Sequence, residues 1–215
     1  MTERGPAILA RGPWAESQIE ARWLAEHYEP PAEVERAADE AVGELRERGS
    51  PCHDGVATRL AGWSLQERRL VLELQPSRWA LRLVSGDASA SLTALCVVRT
   101  ADGRWLAGRR APWVATWASR WALGAGGAVD LGESPARTLT RELDEEWSLR
   151  AERLSVEALM RLRGNLAMLV GVATVLDSAE PSPDPEHDEW AWWPRDVESW
   201  PDEARPLRSI GRLVA

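Results

Sequence analysis

One helix set among strands constrains this chain most. Ala136, Leu139, Leu143 and Trp147 recur at helical spacing within residues 135–147, so one apolar stripe must meet a core. Ser134 supplies an N-cap and Pro135 a first helical residue, where proline's missing donor would have had no partner anyway. The runs before it keep strand character: LTALCVVRT and RWLAGRR, joined by a turn at Ala101, Asp102 and Gly103. After it, VEALMRLRGNLAMLVGVATVL reads as a hairpin closed on Gly164 and Asn165. An acidic, proline-rich loop from Asp177 to Glu189 then leads to the strand WAWW, whose Trp190, Trp192 and Trp193 are expected to alternate toward a core. Strands, one helix, strands and a final helix imply an α/β fold, a mixed sheet covered by helices.

The first part of the chain reads differently. Residues 14–28 place Trp14, Ile19, Trp23 and Leu24 at near-helical spacing, and residues 32–48 put Val34, Ala38, Val42 and Leu45 on one face of a second helix. From Val56 the period changes: ATRLAGW, RLVLELQ and RWALRLV read as three strands of a small antiparallel unit. SGDASAS, residues 85–91, is a turn-rich linker. The expected division is an N-terminal α+β lobe, residues 1–88, and a main domain, residues 89–215. The lobe carries no motif of its own, and its expected role is to close a substrate pocket or form a homodimer surface.

Charge narrows the partners. The 215 residues carry a formal net charge of −8, a field that repels nucleic acid and anionic membrane surfaces. The longest mostly apolar run, LAMLVGVATVL, is too short to span a bilayer, and the N-terminus lacks the apolar core of a signal peptide. A cytoplasmic protein is expected, with Cys52 and Cys96 as reduced, unpaired thiols. His27 and His53 have no partner at zinc spacing and are read as structural or exposed.

The helix at 135–147 has a second face. Glu142, Glu145 and Glu146 stand at i, i+3 and i+4, about 5–6 Å apart at Cβ, where like charges repel. A hard cation would bridge them. Magnesium binds through a few carboxylates plus substrate phosphates, so Mg²⁺ or Mn²⁺ suits this arrangement. Before the helix, Gly124, Gly126 and Gly127 let backbone approach a ligand where a Cβ would clash.

The stretch GAVDLGESPARTLTRELDEEWSL resembles the signature of the Nudix hydrolases: Gly127, Glu133, Arg141, Glu142, Leu143, Glu145, Glu146 and Leu149 fill it. Ser148 stands where that signature has glycine, at the helix C-terminal turn, and Ala125 where a proline usually precedes the two glycines. The resemblance implies a Nudix-type α/β/α sandwich and a pyrophosphohydrolase of a nucleoside diphosphate linked to a further group, a UDP-sugar or other conjugate. It implies Glu142, Glu145 and Glu146 as metal ligands with the Gly127 carbonyl as a further one, Arg141 orienting the carboxylates, and Glu133 as a structural acid. The serine touches stability rather than metal binding. A ligand-sensing domain of the same fold and an isoprenoid diphosphate isomerase, which would need Cys96 or Cys52, are the rival readings.

Outside that stretch, PDPEHDEW offers Glu186, His187, Asp188 and Glu189, with Glu189 or Glu186 as the candidate general base and a solvated acidic loop as the plain alternative. Arg109 and Arg110 are candidates for phosphate, Gly126 and Gly127 for backbone contact with it. Trp113, Trp117 and Trp121 could stack a nucleobase or simply pack.

Overall fold

In the computed structural model, residues 6–50 and 54–214 are described. Cys52 and His53 lie outside them. The chain opens with strand β1 (Ala7–Trp14) and a short 3₁₀ turn, then β2 (Ile19–Trp23), helix α1 (Ala32–Glu47), and the hairpin of β3 (Val56–Gln66) and β4 (Arg69–Arg78). A 3₁₀ segment, Trp79–Leu83, follows. Next come β5 (Leu92–Thr100), β6 (Trp105–Arg110), β7 (Trp121–Leu123), β8 (Ala125–Ala128) and helix α2 (Pro135–Trp147). The hairpin of β9 (Arg153–Arg161) and β10 (Ala167–Val175), strand β11 (His187–Trp193) and helix α3 (Arg208–Leu213) complete the described chain.

The larger sheet runs β1-β9-β10-β5-β6-β11, with β7 beside β6 and β8 beside β5. It is mixed, since β10 and β5 are parallel while their other neighbours are antiparallel. Helix α2 covers one face, and the 3₁₀ turns and α3 of the C-terminus cover the other through Trp105, Trp193, Trp200 and Leu207. This is the expected α/β/α sandwich. Leu139, Leu143 and Trp147 on α2 are completely buried, as their spacing required. They share one apolar cluster with Leu70, Leu72 and Leu74 of β4, so the small sheet, β2-β4-β3, closes over the helix from the far side.

Three expectations fail in the first half and one near the end. Residues 14–28 are not a helix: Trp14 ends β1, which joins the larger sheet beside β9, and Ile19–Trp23 is β2, parallel to β4. A four-residue repeat such as Ile19 and Trp23 satisfies a strand's period of two as well as a helix's 3.6, so pairing decided. The small sheet is consequently not purely antiparallel. Residues 79–83 are not a strand either. β4 already has β2 and β3 on its two edges, so the chain beyond it turns tightly and gives Ala80 and Leu81 to α1 residues Val34, Ala38 and Val42. In β11, Trp193 is buried and Trp192 half-buried, but Trp190 is exposed, because β11 is an edge strand with one face partly open.

Candidate functional site

The wall of the site begins where β8 turns into α2. Trp147, at the end of α2, donates its indole N–H to the carbonyl of Gly124 at 3.0 Å and fixes the helix against the glycine turn. Gly124 holds φ at +57°, and a Cβ there would collide with the Cys96 carbonyl, so glycine is required. The Gly127 position is equally tight from the other side: a Cβ would fall 2.1 Å from Oε1 of Glu142. Glycine therefore lets a carboxylate lie against bare backbone. The Gly127 carbonyl accepts a hydrogen bond from Thr93 Oγ1 at 2.6 Å.

Glu142 and Glu146 are 8% and 6% exposed, whereas Glu145 is open to solvent. Burial pushes the Glu142 carboxyl up to about 7 against the pull of Arg141, with Glu145 adding to the rise. Burial and then the neighbouring Glu142 push Glu146 up to about 9. The groups available to Glu146 are weak or distant: the Gly126 N–H at 3.4 Å, Arg110 at 3.9 Å and His187 Nε2 at 4.0 Å. Two adjacent buried carboxyls, Glu142 with Arg141 as its one close cation and Glu146 with none, form an oxygen-only donor set of the kind a hard divalent cation takes. Among the described residues no three acidic, histidine or cysteine side chains already converge on one ion. Arg141 Nη1 stands between Glu142 and Glu145 at 2.7 and 2.8 Å.

Arg141 is itself held in place. Its Nε donates to Glu133 at 3.1 Å and its Nη2 to the Ala128 carbonyl at 3.2 Å. Burial pushes the Glu133 carboxyl up, but the hydrogen bonds from Arg141 and Thr138 outweigh it and keep the group below its ordinary range. Glu133 is thus an ionised anchor at the helix start. At the other end, Ser148 adopts the left-handed conformation, φ +52°, in which glycine is easiest.

These groups line a cavity of about 290 Å³, whose opposite wall comes from remote parts of the chain: Trp79, Arg82, Arg110, Trp113, Asp184 and Glu186. Arg110 donates to Glu186 at 2.8 Å and approaches Glu146. His187 packs on the Trp147 ring, 4.5 Å between centroids, and its Nδ1 lies 3.0 Å from Asp184. A larger cavity, about 560 Å³, sits in the N-terminal lobe by His27 and Tyr28. Its cation, Arg78, is already matched by Asp54 and Asp39, so the smaller cavity is the better candidate.

The structure brings Glu142, Glu145, Glu146, Gly126, Gly127, Arg110 and Glu186 together, with Arg141 and Glu133 just behind. Arg109, Glu189 and Trp121 are elsewhere. Neighbouring residues of a strand face opposite sides, so Arg109 points away from Arg110 and pairs with Asp188 and Glu189 at 2.9 and 3.3 Å. Trp121 packs on Trp193 and donates to Glu203. Trp113 borders the cavity, whereas Trp117 stands exposed outside its lining. Sequence reasoning missed Trp79, Arg82 and Asp184. Arg82 lies in the misread strand, and nothing local marks Asp184 among its acidic neighbours.

Several solved structures resemble part of the chain. A MutT protein from Methanosarcina mazei Go1 is 21% identical over 57% of this chain and 92% of its own, with a TM-score of 0.44. An Ap4A hydrolase from C. elegans is 18% identical over 56% and 91%, with a TM-score of 0.44. The NUDIX domain of Shewanella oneidensis NrtR, in complex with ADP ribose, is 20% identical over 58% and 88%, with a TM-score of 0.41. No curated protein matches the chain. The sequence model of the NUDIX domain matches residues 90–210, more than half the chain and all of the strand–glycine turn–helix wall just described, so the chain belongs to the Nudix family.

Proposed function

We propose that the protein hydrolyses the diphosphate linkage of a nucleoside diphosphate joined to a further group, with Mg²⁺ or Mn²⁺ held by Glu142, Glu145, Glu146 and the Gly127 carbonyl. The observation that carries this reading is the burial of Glu142 and Glu146 side by side against the glycine turn. Such a pair is costly unless a cation neutralises it. A divalent ion there supplies charge neutralisation for phosphoryl oxygens and a more acidic bound water.

The chain's own groups have separable tasks. Arg141, anchored on Glu133, fixes Glu142 and Glu145, which would hold the ion. Arg110 offers a planar fork to phosphoryl oxygens from the facing wall. Glu186, which lines the same cavity, accepts the proton of the attacking water, the role the sequence divided between Glu186 and Glu189. The isomerase reading loses support because Cys96 is fully buried in β5 and burial pushes its thiol up to about 12, far from a reactive thiolate.

A panel of nucleoside diphosphate conjugates and isopentenyl diphosphate, each with and without Mg²⁺, tests the proposal. Cleavage at the diphosphate that stops in EDTA is the expected result. Turnover undiminished in chelator would overturn the metal, and binding without cleavage would favour a ligand-sensing domain.

A further inference from the structure

We infer that Arg82, from the N-terminal lobe, binds the substrate's diphosphate opposite Glu142, Glu145 and Glu146, forming a clamp with Arg110. The inference rests on the function proposed above and names a residue that function did not require. Arg82 lies outside the matched residues 90–210, so the family signature does not supply it.

Four observations converge on it. Arg82 lines the same cavity as Gly126, Gly127, Glu142, Glu145 and Glu146. The ion pairs around that cavity join Arg110 to Glu186 and Arg141 to Glu133, Glu142 and Glu145; among the described residues no ion pair includes Arg82. It is half-buried, and burial lowers its basicity while Glu142 raises it and the like charge of Arg110 lowers it again. Two guanidiniums thus share one wall, and only one has a carboxylate of its own in hydrogen-bond reach. An anion between them removes the repulsion, and guanidinium forks suit phosphoryl oxygens.

The lobe holds Arg82 there firmly. The Trp79 N–H donates to the Gly55 carbonyl at 2.8 Å, and Ala80 and Leu81 are fully buried. The guanidinium carbon lies 5.5 Å from the centroid of the Trp79 ring, within cation–π range. Beyond the end of α1, Ser50 donates to the Trp113 carbonyl and ties the loop after β6 to the lobe. Arg82 is therefore presented on a rigid element, so little rotamer freedom remains to be lost on binding.

Five acidic side chains and two arginines line the cavity, and a bound divalent ion would lower the repulsion that a free diphosphate meets there. The test is accordingly made with saturating Mg²⁺. Binding of inorganic pyrophosphate, ADP and UDP is followed by tryptophan fluorescence, and KM is measured for whichever conjugate turns over. Arg82→Gln is expected to weaken binding and raise KM by roughly ten- to a hundred-fold with kcat changed less than about threefold, as for a lost charge-assisted hydrogen bond. The Mg²⁺-induced shift in melting temperature should be unaltered, because Arg82 holds no metal. Arg82→Lys keeps the charge and stem but not the fork, so it should fall between the two, and it carries the comparison if Arg82→Gln does not fold. Wild-type affinities and KM in both variants overturn the inference and leave the proposed function standing. A wild-type protein that neither binds any probe nor cleaves any conjugate overturns both.

Discussion

The two walls of the cavity are built in opposite ways. One is nearly continuous in sequence: the glycine turn and α2 place Gly126, Gly127, Glu142, Glu145 and Glu146 within about twenty residues, and helical spacing alone puts the glutamates on one face. The other gathers Trp79, Arg82, Arg110, Asp184 and Glu186 from three distant segments. The continuous wall is acidic, with Glu142 and Glu146 buried and Arg141 as the close cation of Glu142 and Glu145, while the assembled wall carries both cavity-lining arginines. Under the proposed function, the charge that would bind metal is thus encoded locally, and the charge that would meet substrate is supplied by tertiary structure. Changes in the first wall should strike metal-dependent chemistry, and changes in the second should strike substrate handling.

The sharpest way to break this contrast is Glu146→Gln. Loss of a buried ligand should lower kcat on the order of 10³-fold. The metal-free protein should melt at the same temperature or higher at pH 8, because the cost of holding Glu146 protonated where the unfolded chain would ionise it is gone. A clearly lower metal-free melting temperature would contradict the reading of Glu146 as an uncompensated carboxylate. In the assembled wall, Glu186→Gln should lower kcat on the order of 10²-fold, whereas Glu189→Gln, beyond the cavity with Arg109, should stay within about twofold. Equal effects would mean that cavity lining does not decide which acid works. Gly127→Ala pushes a methyl into the Glu142 carboxylate and should weaken Mg²⁺ binding roughly tenfold, read by calorimetry, with the fold intact.

Smaller effects sharpen the same picture. The Glu142 and Glu146 carboxyls are raised from an ordinary 4.5 to about 7 and about 9, chiefly by burial. The folded protein then keeps protons that the unfolded chain has released, so the contribution of these two groups to metal-free stability is greatest below about pH 4.5 and is lost as pH rises through 7 toward 9. Thermal melts in EDTA should show this slope. Saturating Mg²⁺ should flatten or reverse it, since the ion binds the deprotonated groups. Least of all, Ser148→Gly should add about 0.5–1 kcal/mol in a denaturant melt with kcat unchanged, by relieving the left-handed conformation at the end of α2.

What could be read without coordinates was short in range. Ser134 and Pro135 start α2, its stripe of Ala136, Leu139, Leu143 and Trp147 is buried, and Ser148 takes the left-handed turn, because caps, helical period and backbone sterics act within a few residues. The hairpin on Gly164 and Asn165 is legible for the same reason. The fate of Trp14, Ile19 and Trp23 was not, because a four-residue spacing serves helix and strand alike and the edges of β9 and β4 decided it. Nor could sequence choose between Arg109 and Arg110, or between Glu186 and Glu189. Facing the cavity depends on register against a strand remote in the chain, and the turn that swings Arg82 inward exists because β4 had no free edge left to pair. The sequence determined a helix carrying three acids beside a glycine turn; only long-range packing decided which cations stand across from them.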